Sequence, residues 1–192
     1  MPDPNPAALD FLLTRRSRPA KTLALPAPDR AELMPILTAA ARTPDHGKLE
    51  PWRFIVLERP ALMRLAEAVR NHGETLGMDP DKVLKMHMQF ANAPLAVAVV
   101  SSPKPSDKIP QIEQILSAGA VCVQLLNAAH AAGWGANWLT GWAAHDPAFT
   151  GPHLGLAPHE SIAGLIHIGT ETVAPPERPR PDLGVITTWV PE

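Results

Sequence analysis

One cysteine, Cys122, is all that this 192-residue chain contains. That excludes an intrachain disulfide and any CxxC metal site, and it fits a reducing compartment. An excess of charge is lacking too: 17 Lys and Arg stand against 19 Asp and Glu, for a formal net charge of -2 at pH 7. No basic field exists to attract nucleic acid, so any anion site must be local, built from a few arginines. Long unbroken apolar runs are missing. The most apolar stretch, from Ile115 to Trp134, is interrupted by Gln124, Asn127 and His130, which reads as a buried helix of a soluble protein and not as a membrane span. The N-terminus carries Asp3 and no apolar h-region, so no signal peptide and a cytoplasmic location are expected. GxSxG, a Walker loop, HExxH and a glycosidase-like pair of carboxylates are all absent.

Proline is present in excess, at 23 residues. It clusters at the N-terminus, over residues 103–110, and from Pro175 onward. The tail PPERPRPDL is barred from forming a helix and reads as extended. The β-branched run VITTWV that follows it needs a surface to pack on, and an arm that wraps a partner subunit is one way to supply it. Apolar residues make up 45% of the chain, enough for a real core in a single domain.

Periodicity and punctuation predict the elements. Residues 5–16 read as a helix with Leu9, Leu12 and Leu13 on one face. Residues 29–42 read as a second, opened by Asp29 with Glu32 in a capping box. After the loop TPDHGKLEP, WRFIVLE reads as a strand. Pro60 opens a helix to about Gly77, and Asp79-Pro80 restarts a short one with Lys82, Lys85 and His87 on a largely solvated face. PLAVAVVS is a buried strand. Residues 111–132 form the longest helix, apolar nearly all round, as befits a core or a dimer interface. ANWLTG and ESIAGLIHIGT supply two further strands. Helices and strands interleave into a layered α+β or α/β fold.

Three segments could carry chemistry. Arg15-Arg16-Ser17-Arg18 follows the first helix; it reads either as a phosphate clamp or as positive charge complementing a helix C-terminus. Arg42 to Trp52 is a polar loop holding Arg42, His46 and Lys48; it offers donors to a heterocycle, or it is a turn in which Asp45 caps local backbone and His46 is solvated. Gly133 to Trp142 combines glycines, which permit close approach, with flat tryptophans. It is no dinucleotide fingerprint, because its glycines follow a helix and precede a strand. His145, His153 and His159 read as solvated residues of a Pro/Gly-rich loop, with a metal-dependent hydrolase as the competing reading. His167 reads as a satisfied core histidine, and Cys122 as a small buried hydrophobe.

The order of these segments resembles the nitroreductase family, and its small YdjA-like branch in particular. The resemblance rests on a helix ending RRS, a helix ending ARTPDHGKLEPW that runs into a strand, IEQILSAGAVCVQLLNAAHAAGWGANWLTG, a strand ending GT, and PPERPRPDL, across about residues 8 to 184. The chain departs from that branch at Glu50, a position commonly Gln there. The resemblance implies one domain over residues 1–192 with a nitroreductase-like α+β fold. A central mixed or antiparallel sheet would be flanked by helices, with a long central helix and a C-terminal arm from about 171 packing on a partner subunit. It also implies a homodimer with FMN at its interface. Arg15, Arg16 and Ser17 would hold the phosphate and ribityl chain. Arg42 and His46 would touch flavin, from the same or the opposite subunit. Trp138, Leu139, Thr140 and Gly141 would line the ring, and Arg178 and Arg180 would add late basic contacts to the phosphate. Ala128, Ala129, His130, Ala131, Ala132 and Gly133 match a stretch linked with NAD(P)H. The implied activity is ping-pong: hydride passes from NAD(P)H to FMN and on to a nitroaromatic or quinone. Flavin-dependent dehydrogenation or dehalogenation on the same scaffold, and a non-catalytic flavin-binding protein, are the alternatives.

Overall fold

The computed structural model describes residues 3–191. The first two residues of the Pro-rich N-terminus and the last residue of the expected arm lie outside them. Among the described residues the chain forms five strands: β1 (Leu23–Ala24), β2 (Trp52–Leu57), β3 (Leu95–Ser101), β4 (Gly135–Leu139) and β5 (Ser161–Glu171). The seven helices are α1 (Pro6–Thr14), α2 (Arg30–Ala40), α3 (Arg59–Thr75), α4 (Pro80–Ala91), α5 (Gln111–Ala131), α6 (Pro147–Leu154) and α7 (Leu183–Ile186). β2 pairs with β3, β3 with β5, and β5 with both β4 and β1; every pairing is antiparallel.

The sheet is covered on both faces. Leu95, Val97 and Val99 of β3 join a cluster with α2 and α5, while Ala96, Ala98 and Val100 join one with α3, α4 and α6. All seven residues of β3 are therefore buried, which is why its sequence is continuously apolar and does not alternate. β5 is less regular. Val99 pairs with Gly164 and Val100 with Ile162, so Ala163 is an extra residue in the ladder. The bulge switches faces: Ile162 and Leu165 both point to the α3/α4 cluster, and Ile166 and Ile168 to the α2/α5 cluster.

Local signals set the helix ends. Asp29 and Glu32 form the expected capping box on α2. Asp79 accepts from the backbone of Asp81 and Lys82 to start α4, with Pro80 in the first turn. α1 stops at Thr14, two residues short of the expectation, because Arg15 turns to an extended ψ of 147°. On α4, Lys82 and Lys85 are exposed as expected, but His87 is buried: it contacts the Ala66 carbonyl at 3.0 Å and Arg70 Nη2 at 3.2 Å. The loop expected around His145 and His153 holds α6 instead, started by the Asp146 side chain on Ala148 N and ended by left-handed Gly155. His72 donates to Asp146 at 2.7 Å and so ties α3 to the start of α6.

α5 is, among the described residues, the one helix long and apolar enough to cross a membrane by composition. Here one face packs on the sheet and α2 through Val121, Cys122, Leu125 and Ala129. Its opposite face bears Ile112, Ile115, Leu116 and Val123, all exposed. The tail beyond β5 is irregular over its prolines, makes the single turn α7, and exposes Leu183, Val185, Ile186, Trp189 and Val190.

Candidate functional site

The segment Arg15–Arg18 is stitched to the end of the sheet by backbone. Arg18 N donates to Ala136 O at 2.9 Å, and Asn137 Nδ2 donates to Arg18 O at 2.7 Å. These bonds hold Arg15, Arg16 and Arg18 at a cleft of about 300 Å³, closed on the other side by His130, Gly133 and Gly135. Ser17 is exposed and makes no recorded side-chain bond. The tail folds back onto the same place. Arg16 donates to the Pro176 carbonyl, and the Glu177 carboxylate lies 3.6 Å from Arg16 and 3.2 Å from Arg180. Arg178 is exposed, and only its backbone N–H bonds to Glu177.

This is an unbalanced cluster of positive charge. Burial, then Arg180, then Arg18 pull the Arg15 pKa down from its ordinary value. Its Nε is shielded from solvent and has no partner. Glu171 stands 3.0 Å from Arg18, at an angle that leaves Oε1 without a hydrogen bond. Arg15, Arg16 and Arg18 line one cleft, and guanidinium groups gathered in this way form a seat for an oxyanion. The cleft also takes in the end of α5. His130 Nε2 donates to Ala136 O at 3.2 Å, and burial, followed by Arg15 and Arg18, lowers the imidazole pKa to about 4. Ala128 is half-buried and Ala129 buried, while Ala131, Ala132 and Gly133 are exposed, and Gly133 lines the cleft.

β4 leads from this cleft to the aromatic segment. Trp138 lies over the β5 bulge, where its indole Nε1 donates to Ala163 O at 3.3 Å and its ring occupies the space above Gly164. Leu139 is half-buried and Thr140 exposed, and the Thr140 carbonyl faces Gln89. Gly141 presses on Met86: a Cβ there would stand 2.5 Å from the Met86 sulfur. Trp142 is not free to cover a ligand. It is stacked on His72, with centroids 6.0 Å apart and planes at 13°, and packs against the α3/α4 cluster.

The loop of Arg42 and His46 lies elsewhere. Asp45 accepts from Leu49 N and Glu50 N, the local cap that the loop composition allowed. Gly47, Lys48 and Glu50 all have positive φ, at 77°, 55° and 48°. Lys48 and Glu50 are bulky residues in a left-handed region that costs them energy. Gly47 leaves no room for a Cβ against Ile109. His46 is exposed but engaged, bonding Glu113 at 2.7 Å, and Ser117 holds Pro44 O at 2.8 Å. Arg42 is exposed just past α2. The loop therefore sits on the first turns of α5, and the arginine cleft on its last turn. Glu113 and His130 are separated by about 25 Å at the helical rise of ~1.5 Å per residue. One chain does not bring the two halves of the expected site together.

The remaining histidines make no metal centre. His145 and His159 are exposed, and His153 lies in α6 against Phe149 with ring centroids 4.8 Å apart. Among the described residues no group of three or more His, Cys, Asp or Glu is placed to hold a metal ion. His167 is buried but not satisfied: neither ring nitrogen has a partner, and burial lowers its pKa to about 4. Cys122 is a buried thiol whose pKa burial pushes up to about 12, consistent with a packing role.

Comparison with known proteins bears directly on this geometry. The model of the Nitroreductase family matches residues 12–170. YdjA of Escherichia coli K12, named as a candidate NAD(P)H nitroreductase, is 33% identical over 163 residues, covering 85% of this chain and 87% of its own. A Haemophilus influenzae protein named in the same way is 35% identical over 164 residues, covering 85% and 88%. Among solved structures, a nitroreductase-like protein of Bacillus cereus superposes with a TM-score of 0.80 at 21% identity over the whole of both chains. A Desulfovibrio desulfuricans protein, described as a complex with FMN, superposes with a TM-score of 0.74 at 23% identity over 98% of this chain and 99% of that one.

Proposed function

Because the chain belongs to the nitroreductase family, an oxidoreductase family, we propose that it is a homodimer that holds FMN between its subunits and uses it to move hydride from NAD(P)H to a small flat acceptor. One observation carries this reading: Arg15, Arg16 and Arg18 line one cleft at an end of β4, and Arg180 is near enough to act on the Arg15 guanidinium. A flavin phosphate carries close to two negative charges and suits such donors. The fit extends along the strand. Gly135 and Trp138 are about 10 Å apart at ~3.3 Å per residue, a separation suited to a phosphate and a ring joined by a five-carbon chain. The FMN complex of the D. desulfuricans neighbour, and the names of the relatives, support the cofactor and the hydride donor.

The second copy is required by the 25 Å gap, roughly, along α5. Two α5 helices packed antiparallel through Ile112, Ile115, Leu116 and Val123 would bring the His46 loop of one chain to the arginine cleft of the other. Gly119 and Ala120 lie mid-way along this face, and nothing within 4 Å faces a Cβ on Gly119, which leaves room for close approach. Such an isologous pairing gives two equal sites. The chain acts as one domain, with the residues from about 171 as an arm. The Arg16–Pro176 bond anchors its root, and the exposed Leu183–Val190 stretch packs on the partner.

When bound, FMN supplies the chemistry that accepts hydride from NAD(P)H and delivers it to a nitroaromatic or quinone in ping-pong fashion. The protein's own residues bind and orient. Arg15, Arg16, Arg18 and Arg180 neutralise the phosphate, with Ser17 and Arg178 at the margin. Trp138 to Gly141 form the wall beside the ring. Arg42 and His46 come from the partner; the Arg42 guanidinium stabilises negative charge on the ring, and Glu113 holds His46 beside it. The small residues from Ala128 to Gly133 leave room at the rim for the nicotinamide. No protein nucleophile or general base is needed.

The test is Arg15→Ala. The wild-type chain should keep its yellow colour through gel filtration and the variant should lose it. Full FMN retention by Arg15→Ala would overturn the assignment of the cleft.

A further inference from the structure

We propose that Glu177 is a built-in competitor for the arginine cleft: its carboxylate engages Arg16 and Arg180, and a phosphate-bearing ligand must displace it to bind. The inference rests on the flavin reading above and adds to it a control on the cofactor's phosphate seat.

Two carboxylates stand among Arg15, Arg16, Arg18 and Arg180, and they are held differently. Glu171 is the last residue of β5 and stands 3.0 Å from Arg18, so the sheet fixes its place. Glu177 belongs to the tail, outside any helix or strand. It lies 3.6 Å from Arg16 and 3.2 Å from Arg180, and the Arg178 N–H donates to it at 2.9 Å. Arg16 lines the cleft, and Arg180 is near enough to act on Arg15, which lines it as well. One carboxylate therefore engages two of the guanidinium groups that an oxyanion would use.

Glu177 is also the member of this group that can give way. Its side chain is 71% exposed, against 15% for Arg16. Side-chain rotation alone turns the carboxylate into water, and an ion pair so open to solvent is weakly held. Arg16 is enclosed and bonded to the Pro176 carbonyl, so it stays. A ligand phosphate brings close to two negative charges where the carboxylate brings one. It also gains Arg15 and Arg18, with which Glu177 forms no ion pair among the described residues. While Glu177 remains, it occupies donors and repels the incoming anion.

Glu177→Gln removes the charge and keeps the size. Inorganic phosphate binding is read by phosphorus NMR, and FMN binding by quenching of flavin fluorescence. Glu177→Gln should bind both about five- to tenfold more tightly, the scale of one unit charge removed several ångströms from a near-dianion in water. Raising the salt concentration should shrink that gain. Glu67→Gln makes the same charge change on α3, across the sheet, where Glu67 pairs with Arg70. It should alter neither affinity by more than about twofold, since a distant exposed charge is screened. In the wild type, the Arg178 amide signal should move on saturation with phosphate, because the carboxylate that its N–H bonds has left. Unchanged or weaker phosphate binding in Glu177→Gln, an equal gain in Glu67→Gln, or an Arg178 signal that phosphate leaves in place would each overturn the inference. A chain that shows the phosphate gain in Glu177→Gln yet never quenches FMN would overturn the flavin reading and leave the competitor standing.

Discussion

Trp138 occupies the space that a side chain at Gly164 would need. A Cβ at Gly164 would come 2.7 Å from the indole Cδ1 and 2.9 Å from Cys122 Sγ, and the same indole donates to Ala163 O at 3.3 Å. The bulge in β5 thus seats the tryptophan at one end of the proposed ring wall. Gly164→Ala should lower the melting temperature, by a destabilisation of about 1–3 kcal/mol for overpacking a filled site. Trp138 is 36% exposed, so it can swing outward, which favours the low end of that range. An unchanged melting temperature would mean that the indole is not held against the bulge.

The apolar face of α5 predicts the assembly. Leu116 is 65% exposed in the single chain, so a charge there costs the fold little. At the centre of a dimer face it is severe, because an unpaired charge is buried. Leu116→Glu should sediment as a monomer and lose FMN binding with it. A Leu116→Glu protein that stays dimeric would place the interface elsewhere.

The Arg53–Glu160 pair predicts acid behaviour. Arg53 bonds Glu160 at 2.7 and 2.8 Å, and together with the Ala157 backbone this lowers the Glu160 pKa to about 2 from an ordinary 4.5. A carboxylate depressed in the folded state stabilises above its unfolded pKa, and the benefit is lost as pH falls through the folded one. Wild-type melting temperature should therefore drop between about pH 4.5 and 2. Glu160→Gln should start lower at neutral pH and show a flatter fall over that window.

His167, which is buried, and His130, which is half-buried, act at higher pH. His130 and His167 have folded pKa values of about 4 against 6.5 for a free histidine. The unfolded chain takes up protons first, so stability is full above about 6.5 and declines as pH falls toward 4. A proton NMR titration should give midpoints near 4 for both rings. Midpoints between 6 and 7 would contradict their desolvation.

Much of the fold was legible because local chemistry agreed with tertiary demand. PLAVAVVS read as a doubly covered strand from its unbroken apolarity, and Asp29 with Glu32, and Asp79 with Pro80, marked helix starts. α6 was missed although Asp146-Pro147 repeats the same Asp-Pro start and Gly155 supplies a left-handed stop; Gly151 and Pro152 inside it gave the look of a loop. β1 has two residues and no pattern of its own. The Ala163 bulge hides in ESIAGLIHIGT, since both sheet faces are apolar and a shift of one residue leaves no trace in composition.

The site was legible as segments but not as an assembly. Arg15 and Arg180 are distant in sequence and meet only because the tail folds back over α1's end. The bond from His130 depends on Ala136 being its neighbour, a relation set by the turn from α5 into β4. Trp142 reads as part of the flat aromatic segment Gly133 to Trp142, but His72 already stacks on it.

The central claim is an FMN-holding dimer built for hydride transfer, and the visible spectrum of the purified protein under anaerobic conditions tests it most directly. The account predicts a flavin spectrum that bleaches on addition of NADH or NADPH and returns when a quinone or nitroaromatic is added. A colourless protein that takes up no added FMN, or bound flavin that neither nucleotide bleaches, would contradict it.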